Sequence, residues 1–121
     1  MPRILAVDDS GTMRQMVSTT LKEAGHQVVE AADGQAGLEA AQKQPFDLVI
    51  TDINMPRMDG LELIKQLRAL PGFRFKPILC LTTETRQDKK QQARANGATG
   101  WLVKPFKPEQ LLQTVQKVLP R

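Results

Sequence analysis

Asp52 stands where an apolar run stops. The run, residues 46–51, has Val49 and Ile50 at its centre, and Pro56 and the Met58-Asp59-Gly60 turn break the chain beyond it. A short apolar run of this kind reads as a buried parallel strand. Asp52 then falls at the carboxyl end of a core strand, where open α/β sheets hold their ligands. An acidic residue in that position is also an ordinary turn former, so its company matters. Asp8 and Asp9 end the apolar run 3–7, Thr82 and Thr83 end the run 77–82, and Lys104 follows Trp101-Leu102-Val103. With these strands as neighbours, three carboxylates, two hydroxyls and an ammonium crowd one edge of a sheet.

Carboxylates about 5 Å apart repel by roughly 3 kcal/mol per pair at an effective dielectric of about 20. A fold that gathers three of them needs cations, or must protonate one. Lys104 offsets one charge. A hard divalent ion with oxygen ligands offsets two more, and Mg²⁺ binds through one or two carboxylates plus phosphate oxygens. Thr82 can donate a hydrogen bond to a phosphoryl oxygen. A carboxylate nucleophile, a metal, a hydroxyl and an ammonium together make a phosphoryl-transfer site that works by positioning and charge neutralisation.

The elements that position these groups alternate. Residues 3–7 are a strand, Ser10 is a helix cap, and Met13, Met16, Val17, Thr20, Leu21 and Ala24 recur at helical spacing until Gly25. A second strand spans 27–31. Ala36, Gly37, Ala40 and Ala41 mark a small-residue helix over 34–43. The third strand is 46–51, and the third helix carries Leu63, Ile64, Leu67 and Leu70 up to Pro71-Gly72. The fourth strand is 77–82 and a short fifth contains Trp101-Leu102-Val103. A last amphipathic helix starts at Pro108. Strand and helix alternate five times, which implies an α/β fold: a parallel sheet covered on both faces, with right-handed crossovers. One segment departs from the pattern. Residues 84–95 have two alanines as their only apolar side chains, so a helix there is expected to be loosely held and mobile.

The length of 121 residues suits a single domain, and 40% hydrophobic with 25% charged residues is ordinary for a globular chain. Aromatics are only 4%, so the core must be aliphatic. The net charge of +4 comes from scattered basic residues without interleaved aromatics, which argues against a nucleic-acid surface. Cys80 is the only cysteine and lies in an apolar run, so a disulfide framework is excluded and a reducing compartment fits. No signal peptide and no run near the ~18 apolar residues of a membrane span is present. The expected location is the cytoplasm, with no membrane partner. His26 follows Gly25 in a turn and has no partner at metal spacing.

The ordered set Val7-Asp8-Asp9-Ser10, Asp52-Ile53-Asn54-Met55-Pro56, Met58-Asp59-Gly60, Thr82 and Lys104-Pro105-Phe106 resembles the receiver domain of two-component response regulators, and most closely the stand-alone chemotaxis regulators. The resemblance spans nearly the whole chain. It implies a flavodoxin-like (βα)5 doubly wound sheet with strand order 2-1-3-4-5, in one receiver domain over residues 1–121 with no output domain. By resemblance, Asp52 is the phosphoacceptor, and Asp9, Asp52 and the backbone carbonyl of Asn54 bind Mg²⁺, with Asp8 orienting the ion through water. Lys104 binds the phosphoryl group, Thr82 is the switch hydroxyl and Trp101 takes the aromatic switch position, where Tyr or Phe is more usual. Asn54 and Glu84 tune the phosphoryl lifetime, and the Lys104-Pro105 bond corresponds to one that is usually cis.

The implied function is a signalling switch rather than an enzyme with a separate substrate. A sensor histidine kinase of the chemotaxis (CheA-like) type donates its phosphoryl group to Asp52. The face of the fourth helix, fifth strand and fifth helix then changes population for a flagellar motor switch protein or other output protein, with a phosphatase as a further partner. The expected state is a monomer. A phosphorelay intermediate or a phosphate sink for a kinase would carry the same residues. A haloacid-dehalogenase-type phosphatase also uses an Asp nucleophile with Mg²⁺, but it needs an Asp as general acid two residues on, and Asn54 cannot deliver a proton. An FMN-binding flavodoxin needs hydroxyls in its first loop, where Asp8-Asp9 would repel the phosphate.

Overall fold

The computed structural model describes residues 2–55, 57–83 and 87–119. Its elements are β1 (Arg3–Val7), α1 (Gly11–Glu23), β2 (Gln27–Ala31), α2 (Gly34–Lys43), β3 (Leu48–Asp52), α3 (Gly60–Ala69), β4 (Ile78–Thr82), α4 (Gln87–Asn96), β5 (Gly100–Val103) and α5 (Pro108–Val118), with a 3-10 turn at Pro71–Phe73 after α3. All strands are parallel, in the order β2-β1-β3-β4-β5. The chain therefore has the flavodoxin-like (βα)5 architecture that the sequence pattern and the resemblance imply.

β3 and β4 are buried along their whole length, as strands covered by helices on both faces must be. One core layer sets Leu5, Val7, Val49, Ile78 and Cys80 against α2, α3 and α4, and the opposite layer sets Ile4, Ala6, Leu48, Ile50, Leu79 and Leu81 against α1 and α5. Each large aliphatic of these layers is worth about 2–5 kcal/mol against truncation to Ala. The register pairs Val7 with Thr51, Asp52 with Leu81 and Thr82 with Val103. That register brings the ends of β1, β3, β4 and β5 to one edge.

Helix starts follow the expected local chemistry. Ser10 Oγ accepts the Met13 N–H at 3.2 Å, Asp33 Oδ1 accepts that of Ala36 at 2.8 Å, and Asp59 Oδ1 accepts that of Glu62 at 2.9 Å. Two strand starts differ from the sequence reading. β3 begins at Leu48 rather than Phe46, because Phe46 is buried in the layer below the sheet while Asp47 caps the Arg3 N–H at 2.8 Å. β4 begins at Ile78 because Pro77 has no N–H for the ladder; its carbonyl accepts the Val49 N–H at 3.1 Å.

α4 is held more firmly than its composition suggests. Ala93 is buried, Asn96 Nδ2 donates to the Leu61 carbonyl at 2.9 Å, and the Arg68 guanidinium donates to the Gly97 carbonyl at 2.7 and 3.0 Å. Polar ties to α3 replace the apolar stripe that the helix lacks. Among the described residues no helix is long and apolar enough to cross a membrane.

Candidate functional site

Asp8 follows β1 and stays in the sheet through its N–H, which donates to the Ala31 carbonyl at 3.1 Å. Its Oδ1 accepts the Ser10 N–H at 2.9 Å, which turns the chain into α1 and fixes the carboxylate. Arg14, one turn into α1, donates from Nη1 to the Asp8 carbonyl at 2.7 Å and pairs with Glu30 at 3.3 Å. Asp8 is buried, whereas Asp9 faces solvent.

Asp52 is the last residue of β3 and is buried. Its Oδ1 accepts the Ile53 N–H at 2.8 Å, so the carboxylate folds back over its own strand end. Gly60 makes this approach feasible. Its N–H donates to the Ile53 carbonyl at 2.7 Å, and a Cβ there would collide with the Asp52 carbonyl. Lys104 closes the site from the far edge. Its N–H donates to the Thr82 carbonyl at 2.8 Å, the Lys104-Pro105 peptide is cis, and its Nζ lies 3.2 Å from Asp8 Oδ2 and 3.4 Å from Asp52 Oδ2. Thr82, at the end of β4, is buried beside them.

Carboxylate oxygens of Asp8, Asp9 and Asp52 all lie within 4.8 Å of one another. Three negative charges with one ammonium in contact leave two uncompensated. Burial pushes the Asp52 pKa up, the Lys104 charge pulls it down, the Asp8 charge pushes it up and the Ile53 N–H pulls it down; the balance is upward. Such a set of hard oxygen donors fits a small divalent cation, as the sequence expectation of Mg²⁺ requires. The Cys80 thiol, one layer below, is raised to about 12 by burial and by the nearby Asp52 charge, so it stays protonated.

Asp8, Asp9, Asp52, Thr82 and Lys104 thus meet at one edge, as the sequence predicts. Asn54 lies two residues past Asp52, with its side chain exposed. Trp101 lies apart, on the α4 side of β5, and is half-buried against the α2–α3–α4 layer. Glu84, expected to tune the phosphoryl lifetime, and Pro56 lie outside the described residues. Met55 and Met58 are half-buried packing residues. Two contributions escaped the sequence reading. Arg14 holds the Asp8 backbone, although its place one turn after the Ser10 cap was visible. Lys90 and Arg94 lie over the Trp101 ring at 5.3 and 5.1 Å from its centre, a contact between α4 and β5 that only the fold creates.

The family described as response regulator receiver domain matches residues 4–116. Chemotaxis protein CheY-3 of Vibrio cholerae serotype O1 is 38% identical over 120 residues, covering 98% of this chain and 92% of its own. The solved structure of V. cholerae chemotaxis protein CheY4 superposes with a TM-score of 0.96 at 57% identity, over 98% of this chain and 99% of that one. The receiver domain of sensor histidine kinase PA1611 from Pseudomonas aeruginosa, solved with a magnesium ion in its active-site cleft, gives a TM-score of 0.90 at 28% identity, over 97% and 96%.

Proposed function

The chain belongs to the response regulator receiver domain family, and from that we propose that Asp52 is the residue that takes the phosphoryl group. It is a two-component signalling regulator that catalyses its own phosphorylation and dephosphorylation, with a histidine kinase as donor. The observation that carries the assignment is the Lys104 ammonium shared between the Asp8 and Asp52 carboxylates at the ends of β1 and β3. Burial is the main cause that raises the Asp52 pKa, and the Lys104 charge works against it; Lys104 thus favours the ionised, nucleophilic form of the carboxylate.

In the transfer step a carboxylate oxygen of Asp52 attacks phosphorus. The P–N bond to the kinase imidazole breaks, a P–O bond to Asp52 forms, and the imidazole leaves with its electron pair. Lys104 shifts from pairing two carboxylates to pairing a phosphoryl oxygen. The Thr82 hydroxyl donates to another. Asp9, Asp52 and the Asn54 backbone carbonyl would hold Mg²⁺, with Asp8 orienting it through water, and the ion would offset the charge that builds on the transferring oxygens. Hydrolysis reverses the balance: water supplies the oxygen, the P–O bond to Asp52 breaks, and inorganic phosphate leaves. By the family resemblance, Asn54 and Glu84 are the residues that tune the rate of that step.

The output follows from the same site. A phosphoryl group that draws Thr82 pulls on the chain leading into α4, whose Lys90 and Arg94 cover Trp101. The α4–β5–α5 face is the surface read by the partner. The donor is a chemotaxis-type kinase and the reader a flagellar motor switch protein; the names of the similar proteins, CheY-3 and CheY4, support that pathway. The acyl phosphate is trapped by borohydride, which reduces it to the alcohol. Protein labelled with acetyl phosphate and Mg²⁺ should then carry homoserine at position 52 in its peptide map. Reduction at Asp8, Asp9 or Asp59 instead would overturn the assignment.

A further inference from the structure

Phe75 is 93% exposed and is the large hydrophobic side chain most at odds with its surroundings. It sits between Arg74 and Lys76 in the connection from α3 to β4. That connection is at the amino-terminal edge of the sheet, about 17 Å from the Asp52 edge across five strand residues. The loop is built rather than slack. The half-buried Arg68 guanidinium donates to the Arg74 and Lys76 carbonyls at 3.3 and 2.6 Å, and also to that of Phe73. A backbone tied at three points presents Phe75 at little further entropic cost on binding.

Beside Phe75 lies a groove of about 400 Å³ whose walls include Ala41, Leu70, Pro71 and Phe73, large enough for an aromatic or branched aliphatic side chain. Knob and groove are adjacent, since Pro71 and Gly72 border both the groove and the hollow under Phe75. Lys43 borders the groove, Lys76 borders the hollow under Phe75, and the exposed Arg74 precedes Phe75 in the chain; Arg3 and Asp47 share a neighbouring hollow with Lys76, and Asp47, 3.7 Å from Lys76, is the acidic side chain that offsets one charge. A net positive rim disfavours a second copy of this chain on the same edge, because two like-charged rims repel. An anionic membrane would attract the rim, but it has no side chain for the groove, and one aromatic with a few cations anchors weakly.

We infer that this edge docks an acidic segment of a partner protein, which places an apolar side chain in the Ala41–Phe73 groove, packs on Phe75 and pairs its carboxylates with Arg74 and Lys43. Aromatic and Arg residues at the centre of a contact are the ones that carry binding energy. The position leaves Asp52 open, so the partner holds the regulator while phosphoryl transfer proceeds.

A random-peptide display library, selected on the wild-type protein and counter-selected on Phe75→Ser, tests this. The expected binders are rich in Asp and Glu with Leu, Phe or Trp. Their affinity falls about tenfold or more in Phe75→Ser and in Arg74→Glu. Amide shifts on binding map to residues 43–45 and 70–77, and acetyl phosphate labels Asp52 at the same rate with the peptide bound. The inference is overturned if no binder depends on Phe75 or if the binders lack acidic residues. Phe75-dependent sedimentation with phosphatidylglycerol-containing vesicles, or Phe75-dependent self-association in sedimentation velocity, would overturn it in favour of a membrane or a second copy.

Discussion

The Lys104 ammonium lies 3.4 Å from the Asp52 carboxylate, reaching inward from the end of β5 to the end of β3 across the intervening strand β4. It touches Asp8 as well, at 3.2 Å. One cation therefore contacts two buried anions and offsets one of their charges, and the energetics of the site turn on it.

Lys104→Met keeps the length of the side chain and removes the charge. Breaking a largely buried ion pair leaves an uncompensated charge and is destabilising on the order of 3 kcal/mol. Urea denaturation without metal should show that loss, and added Mg²⁺ should recover part of it. An unchanged midpoint would mean that the pair contributes nothing to the fold.

Mg²⁺ relieves the repulsion among Asp8, Asp9 and Asp52, so it should raise the Tm of the wild-type protein. Linkage gives RT ln(1 + [L]/Kd), or about 1.4 kcal/mol at ten times Kd. Asp9→Ala removes the exposed member of the set without emptying the core. The expected outcome is loss of the Mg²⁺ response; a shift equal to that of the wild type would place the ion elsewhere.

Cys80 offers a pH test on a residue that is not itself a ligand candidate, with burial as the main cause of its shift and the Asp52 charge as the second. Its thiol is raised to about 12 in the fold from an ordinary 9.0. Between those values the folded state binds one more proton than the unfolded state, so stability falls as pH rises, by about 1.4 kcal/mol per unit. The contribution is fully present below pH 9. Cys80→Ala should lower stability at pH 7 and flatten the alkaline slope by that amount. Equal slopes in the two proteins would mean that the thiol titrates normally.

Trp101 reports on α4. Arg94→Ala and Lys90→Ala each remove a cation from its face, worth about 0.5–1 kcal/mol, and should shift its emission. Beryllofluoride with Mg²⁺ should shift the wild-type emission too, and Thr82→Ala should keep Asp52 reactive while muting that signal. Identical emission of the wild type with and without beryllofluoride would break the proposed link from Thr82 to the α4–β5 face.

Much of this was legible in the sequence because strand ends are. Asp8, Asp52, Thr82 and Lys104 each follow a short apolar run, and a parallel sheet brings such ends to one edge. Trp101 packs on the α2–α3–α4 layer, whereas the Lys104 ammonium reaches the Asp8 and Asp52 carboxylates. Three features were hidden. The grip on α4 comes from Asn96, from Arg68 and from cations over Trp101, and polar contacts of this kind leave no hydrophobic period to read. Phe75 looks like core in a list of residues, and only the tied loop around Arg68 shows that it points outward. The start of β3 was placed at Phe46 because burial, not strand pairing, explains that residue.

The central claim is that Asp52 alone carries the phosphoryl group. Intact-mass spectrometry after incubation with acetyl phosphate and Mg²⁺ compares the wild type with Asp52→Asn, both checked for folding by circular dichroism. The wild type should gain the mass of one phosphoryl group, lost on treatment with hydroxylamine, and Asp52→Asn should gain none. A stoichiometric, hydroxylamine-sensitive adduct on folded Asp52→Asn would contradict the assignment.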